Sequence, residues 1–193
     1  DQIFIGQGVG ELGNAATTVS FPMVTIMLAF ATLIGSGGSA YADLKLGEGK
    51  NEEADRTLNN VFVMALGAGA LLLAAGLLFL EPMLRVFGAG EAVMPYAKDY
   101  ASILLLGAPF NMMGIALSNM ARTDGSPRLS MYGILIGAIL NTVLDPIYIF
   151  VFHWGVKGAA VATITSQIIS AVILLAYFAT RSRHMRFRLS AMR

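Results

Sequence analysis

Residues 141–150 read Asn-Thr-Val-Leu-Asp-Pro-Ile-Tyr-Ile-Phe, and they lie inside an apolar run that covers residues 129–152. A run of this length allows a helix to cross a bilayer. An ionisable side chain within such a helix costs about 3 kcal/mol on insertion, so an intramembrane carboxylate usually marks a functional site. The stretch therefore predicts a membrane-spanning helix that carries a functional carboxylate, Asp145.

The polar groups next to Asp145 predict a site for a proton or a small hard cation. Asn141 lies four residues earlier, which places both side chains on one face of the helix. Pro146 has no backbone N–H, so the carbonyl of Thr142 loses its usual partner in the helix. We expect the Thr142 hydroxyl, this carbonyl, the amide and the carboxylate to meet at one turn, where hard cations find the oxygen ligands they prefer. The alternative is that Asp145 only holds the helix bundle together through a hydrogen bond to Asn141.

The composition is that of an integral membrane protein. Of the 193 residues, 56% are hydrophobic and only 13% are charged, whereas a soluble domain carries about 25% charged residues. The absence of cysteine and the presence of only two histidines argue against disulfides, thiol–metal sites and zinc sites. No Gly-rich phosphate loop and no Ser/His/Asp set stands out, so nothing in the sequence favours an enzyme.

Hydropathy and turn residues predict an all-α helical bundle, with the end of one helix followed by five complete spans. Residues 1–6 are interpreted as the last turns of a truncated first helix, because they lack the basic region of a signal peptide. A polar loop is expected at 43–50, an N-cap at Asn51 and a helix stop at Glu81-Pro82. The five predicted spans cover residues 14–41, 51–80, 95–121, 129–152 and 159–180.

The basic residues predict the orientation of these spans. Ten of the thirteen lysines and arginines fall on one side of the membrane, and the other three fall on the opposite side. Because basic loops stay cytoplasmic, we expect a multi-pass protein of the cell (inner or plasma) membrane. Residues 1–180 then form the membrane domain and residues 181–193 a cytoplasmic arginine-rich connector. Such a tail can also bind nucleic acid, but this one directly follows a span, which favours a topology signal. The ten residues are Lys45, Lys50, Arg56, Arg122, Arg128, Arg181, Arg183, Arg186, Arg188 and Arg193.

A short internal similarity suggests a partner for Asp145. Residues 1–5, Asp-Gln-Ile-Phe-Ile, resemble residues 145–149, Asp-Pro-Ile-Tyr-Ile. Transporters are often built from such repeats, although matches this short also arise by chance. If the repeat is real, Asp1 and Asp145 lie at the same depth in two parallel helices and form a carboxylate pair.

Short motifs along nearly the whole chain resemble, in their order and spacing, the N-terminal lobe of multidrug and toxic compound extrusion (MATE) transporters. The resemblance runs from late in helix 1 of that lobe through helix 6. The motifs are DQIFIG at 1–6, FP at 21–22, LGEGK at 46–50, EA at 53–54, LRVFGA at 84–89, APF at 108–110, GSP at 125–127, NTVLDP at 141–146 and GVKGAA at 155–160.

This resemblance implies one lobe of a transporter whose two six-helix lobes surround a central cavity, with a C-terminal lobe as the missing partner. It implies a cation-coupled antiporter in which H+ or Na+ entry drives export of amphipathic, often cationic, compounds. No cofactor is implied beyond the coupling ion. In the branch of the family with an aspartate in helix 5, the cation-binding residues map onto Asp1, Asn141, Asp145 and Thr163.

Two other interpretations remain open at this stage. The first is a flippase of related fold for lipid-linked oligosaccharides, which would need several arginines inside its groove. The sequence places no arginine well inside a span, which argues against it. The second is a membrane scaffold without transport activity, which a second lobe on the native gene product would exclude.

Overall fold

The computed structural model describes residues 1–187, and every regular element within that range is helical. The elements are α1 (Gln2–Gly8), α2 (Glu11–Gly47), α3 (Asn51–Leu78), α4 (Leu80–Val86), α5 (Met94–Thr123), α6 (Pro127–Pro146), a π-helical turn (Ile147–Val151) and α7 (Gly155–Thr180). Five segments are long and apolar enough to cross a membrane, namely α2, α3, α5, α6 with its π turn, and α7. The predicted all-α membrane fold with five complete spans is confirmed.

The connection between α2 and α3 is shorter than predicted. Residues 43–47, expected to belong to a loop, continue α2 as far as Gly47. Most of these residues favour helix, and the chain turns only where Gly49 adopts the left-handed conformation, with φ of 75°. The N-cap position of α3 is Lys50, whereas Asn51 is the first helical residue and not the cap.

The predicted helix stop at Glu81-Pro82 is also wrong. The helix α3 already ends at Leu78, and both residues belong to the short helix α4. Pro82 falls in the first turn of α4, where its missing N–H removes no bond within the helix. The proline is therefore compatible with the start of a helix, although the sequence suggested an end.

The helix α5 forms the centre of the bundle and packs against α2, α3 and α7. Small residues on the neighbouring helices make this close packing feasible. A Cβ atom added to Gly69 of α3 would lie 2.4 Å from the Cα of Pro109 on α5. A Cβ atom on Gly35 of α2 would lie 3.0 Å from the Cα of Ala116. A larger side chain at either glycine would push two helices apart.

The helix α6 lies at the edge of the bundle and packs mainly on α7. Its outward face carries large apolar side chains that are more than half exposed, among them Tyr132, Ile139 and Val143. The opposite face carries the fully buried Asp145. The polar site is therefore built between this edge helix and the rest of the bundle.

The chain folds back onto the bundle after α7. The side chain of Met185 is fully buried, and the ring of Phe187 meets that of Phe62 edge to face, with 4.9 Å between the centroids. We call this end of the bundle, which also contains the turns at 48–50 and 124–126, the arginine-rich end. Residues 188–193, the last part of the predicted connector, lie outside the described residues.

Candidate cation site

The structure brings together the four residues proposed as cation ligands. Asp1 lies directly before α1, Asn141 and Asp145 lie one turn apart on α6, and Thr163 lies on α7. Asp1 and Thr163 are separated by 162 positions in the sequence, yet their side chains are in contact. Three elements that are distant in sequence thus meet at one place.

Hydrogen bonds connect the four side chains in a row. The Asn141 amide donates to Asp145 Oδ1 over 3.4 Å and to Thr163 Oγ1 over 3.2 Å. The Thr163 hydroxyl lies 3.1 Å from Asp1 Oδ2 and 3.0 Å from the carbonyl of Ala159, so it donates to one of these two acceptors. These bonds link two carboxylates through one amide and one hydroxyl, and we call the four side chains the carboxylate row.

The second oxygen of Asp145 is left without a hydrogen bond. The side chain is 0% exposed, and Oδ2 has no hydrogen-bond partner within the described part of the chain. The backbone nitrogen of Asp1 lies 3.4 Å from this oxygen. Buried carboxylate oxygens nearly always have partners, because an unpaired charge is costly away from water. Because this oxygen accepts no hydrogen bond within residues 1–187, it is suited to accept a proton or a cation in addition to its contact with the Asp1 nitrogen.

The backbone changes its hydrogen-bonding pattern directly after Asp145. Pro146 ends α6, and the next five residues form the π turn, in which the N–H of Phe152 bonds to the carbonyl of Ile147. π turns inside helices occur frequently at functional sites. This turn packs tightly on α7, since a Cβ atom on Gly158 would lie 2.8 Å from the carbonyl oxygen of Tyr148. The glycine lets α7 approach closely enough for Thr163 to reach Asn141.

One expected member of the site is not part of it. The Thr142 side chain is exposed, and its hydroxyl donates to the carbonyl of Ala138 within its own helix, over 2.9 Å. A residue that follows Asn141 directly points to another side of the helix, because successive residues are about 100° apart. The hydroxyl in the site is that of Thr163.

A cavity of about 200 Å³ opens beside Asp1 and contains polar groups that sequence reasoning missed. Its lining includes Thr17 of α2 and Tyr100 of α5, both of which are buried. Tyr100 lies eleven residues, or about three helical turns, before Asn111, which lines the same cavity. That spacing on one helix face is the signal that could have identified the tyrosine.

A second cavity of about 380 Å³ lies between α5, α6 and α7. It shares Asn111, Thr163 and Gln167 with the first cavity, and Asn141 also lines it. Ser118 contributes a hydroxyl to its wall and lies 2.6 Å from the hydroxyl of Ser130. Thr163 is therefore part of the carboxylate row and of the walls of both cavities.

Comparison with known proteins places this geometry in a family. A sequence profile of the MatE family matches residues 1–147. The multidrug export protein MepA of Staphylococcus haemolyticus (strain JCSC1435) is 29% identical over 183 residues, which make up 93% of this chain and 40% of MepA.

Solved structures agree closely with the fold. A crystal structure of MATE in the bent conformation matches with a TM-score of 0.94 and 27% sequence identity, over 98% of this chain and 42% of that one. A structure of the MATE multidrug transporter DinF-BH matches with a TM-score of 0.93 and 33% identity, over 100% of this chain and 43% of that one. The chain thus spans about two fifths of the length of these relatives. Because the profile covers most of the chain and the folds agree over nearly all of it, the chain belongs to the MatE family, whose members are MATE transporters and not enzymes.

Proposed function

We propose that this chain is the cation-binding lobe of a multidrug antiporter in which H+ or Na+ entry drives the export of amphipathic or cationic compounds. The observation that carries the proposal is the buried oxygen of Asp145 that has no hydrogen-bond partner among residues 1–187. Packing alone does not explain an ionisable group there, because a neutral residue inserts into the membrane at lower cost.

The four side chains supply the ligands that such a cation needs. Asp1 and Asp145 contribute carboxylate oxygens, and Thr163 contributes a hydroxyl oxygen. Asn141 contributes its amide oxygen, since its bonds to Asp145 and Thr163 use only the amide nitrogen. A proton at this site neutralises one carboxylate, whereas Na+ is held by several oxygens at once. Either ion relieves the repulsion between the two carboxylates, of which Asp145 is fully buried.

The two cavities provide a physical basis for exchange between ion and substrate. The larger cavity presents mostly apolar surface together with polar side chains such as Asn111, Ser118 and Gln167, a combination found in sites for small organic ligands. It reaches the carboxylate row at Asn141 and Thr163. A cationic compound in this cavity and a cation on the carboxylates repel each other, so each weakens the binding of the other by the same factor. Mutual weakening of this kind is what an antiporter requires.

A second lobe completes the proposed transporter. The MATE relatives are more than twice as long as this chain, which covers 42% and 43% of the two structures described above. We assign residues 1–180 to the lobe and residues 181–193 to the connector, and the missing lobe forms the opposite wall of the substrate path. The flippase alternative has less support, because Arg122 is the only arginine of residues 1–187 that lines the larger cavity.

The proposed orientation places the arginine-rich end in the cytoplasm, as basic loops require. Single cysteines at Ser182 and Gly90 test this arrangement, since these 193 residues contain no cysteine of their own. In intact cells, an impermeant maleimide is expected to label Gly90→Cys and to label Ser182→Cys only after permeabilisation. The reverse pattern of labelling would invert the topology.

The hydroxyl of Thr163 is expected to contribute directly to ion binding. Thr163→Val removes one oxygen at nearly constant volume, and the loss of one such contact costs about 1 kcal/mol, or about fivefold in cation affinity. The measurement is the dependence of efflux on H+ and Na+ concentration in proteoliposomes. Thr165→Val is the matched control, because within residues 1–187 the Thr165 hydroxyl bonds only to the carbonyl of Val161 in its own helix. Equal ion dependence in both variants would remove Thr163 from the ligand set.

The proposed function as a whole is tested with the full-length protein in vesicles that carry an imposed pH or Na+ gradient. A fluorescent lipophilic cation is expected to be transported only when one of the gradients is present. Transport without either gradient would contradict ion coupling, and the gradient that supports transport identifies the ion.

A further inference from the structure

A third cavity, of about 440 Å³, lies at the arginine-rich end beside the turn between α5 and α6. Arg128 and Arg183 line it together with Ser126, Leu129 and Tyr132. Its wall thus combines two guanidinium groups, two hydroxyl groups and apolar surface. It is separate from the candidate cation site and shares no lining residue with the cavities at Asp1 and Asn141.

The two arginines of this cavity are not neutralised by carboxylates. Neither forms an ion pair within the described residues, although Arg183 Nη1 lies 3.3 Å from the carbonyl of Gly125. Other basic residues of the chain do have carboxylate partners within 4 Å, among them Lys45, Lys50, Arg85, Lys98 and Lys157. The two guanidinium groups of this cavity are therefore available to an anion.

A buried carboxylate holds Arg183 at the rim of the cavity. The side chain of Asp124 is 0% exposed and accepts hydrogen bonds from the backbone N–H groups of Arg183, His184 and Met185, over 2.7 to 2.8 Å. It also accepts a bond from the Tyr177 hydroxyl over 2.6 Å. The negative charge of Asp124 is thus directed at these four donors, and the segment that carries Arg183 is fixed in place.

The apolar part of the cavity continues onto the exposed face of α6. Tyr132 lines the cavity and is 53% exposed, and its neighbours Met131 and Leu135 are 48% and 46% exposed. In a membrane this face meets lipid chains, because α6 with its π turn is the least buried of the five spans. A ligand that fits both parts has an anionic head at the arginines and an apolar tail along α6.

We propose that this cavity binds the phosphate headgroup of an anionic phospholipid. Basic pockets between membrane helices are suited to such headgroups, and guanidinium groups form strong paired hydrogen bonds with phosphate oxygens. A zwitterionic lipid suits the site less well, since its own ammonium group would meet two arginines. The acyl chains extend along Tyr132 and the outward face of α6.

Binding of defined lipids to the purified full-length protein tests this proposal. Native mass spectrometry in detergent compares dioleoylphosphatidylglycerol, dioleoylphosphatidylcholine and inorganic phosphate at equal concentrations. We expect phosphatidylglycerol to bind most tightly, and we expect Arg128→Gln and Arg183→Gln each to weaken it about fivefold. The affinity of the double variant for phosphatidylglycerol is expected to fall about 25-fold if the two arginines act independently.

A matched control separates this cavity from general surface charge. Arg56→Gln removes one exposed arginine at the same end of the bundle but outside the cavity, and it is expected to leave lipid binding unchanged. An equal loss in Arg56→Gln, or full lipid affinity in the double variant, would overturn the proposal. Inorganic phosphate that binds as tightly as phosphatidylglycerol would show a site for free anions instead. Melting temperatures measured without lipid check that the variants are folded. A double variant with Arg128→Lys and Arg183→Lys keeps both positive charges and should retain part of the affinity for phosphatidylglycerol.

Discussion

Asp145→Asn is expected to abolish gradient-driven efflux while the protein inserts into the membrane at least as well as the natural protein. The substitution keeps the size of the side chain and an oxygen that can accept the bond from Asn141, but it removes the titratable charge. In the proposed site the bound cation and the Asp145 carboxylate form a buried ion pair. Loss of one partner from such a pair costs about 3–5 kcal/mol, so cation affinity should fall by roughly a hundredfold or more. Insertion should become easier, because a charged side chain at this depth costs about 3 kcal/mol.

The readouts for Asp145→Asn are the amount of protein in the membrane and the efflux rate from vesicles with an imposed gradient. If Asp145 only held the bundle together, efflux would stay near normal, because asparagine can still bond to Asn141. Asp99→Asn is the matched control, since this carboxylate is half exposed and pairs with Lys157. Asp1→Asn is expected to act like Asp145→Asn, and the double variant should be little worse than either single one if the two carboxylates act as a unit. Normal efflux in Asp145→Asn would contradict the proposed coupling.

Asp124→Ala is expected to produce the largest loss of stability among the substitutions considered. The change leaves the Tyr177 hydroxyl and three backbone N–H groups without their shared acceptor. Each bond to a charged group contributes about 1.5–3 kcal/mol, and water can replace part of it at the exposed residues, so we expect a total loss of about 2–4 kcal/mol. Thermal unfolding in detergent measures this loss.

Two further variants make the Asp124 experiment specific. Asp124→Asn keeps one acceptor oxygen, so its stability should lie between that of Asp124→Ala and that of the natural protein. Asp43→Ala removes an exposed carboxylate at the same end of the bundle, and its stability should stay within about 0.5 kcal/mol of the natural protein. Equal stabilities for Asp124→Ala and Asp43→Ala would mean that the folded-back segment is not held by this carboxylate. Because Asp124 positions Arg183, its loss is also expected to weaken the binding of phosphatidylglycerol.

Local sequence pattern was sufficient to predict the membrane fold and one half of the candidate site. An apolar segment predicts a membrane span when, as a helix, it is long enough to cross the bilayer. The five spans predicted in this way are confirmed. Asp145 and Asn141 could be identified together because a spacing of four residues places them on one face of one helix. Asp1 was suggested by a short internal similarity and by the resemblance to MATE transporters, whereas only that resemblance pointed to Thr163. Their role as cation ligands remains a prediction.

The contacts that complete each site were decided by the tertiary structure. The Thr142 hydroxyl is close to Asp145 in the sequence but bonds within its own helix, whereas Thr163 reaches the site from α7. The four bonds that Asp124 accepts join positions 53 to 61 residues apart, and no periodicity predicts them. The physical reason is that hydropathy and helical period depend on neighbours along the chain. The distance between two helices depends instead on small residues such as Gly158 and on which faces pack together.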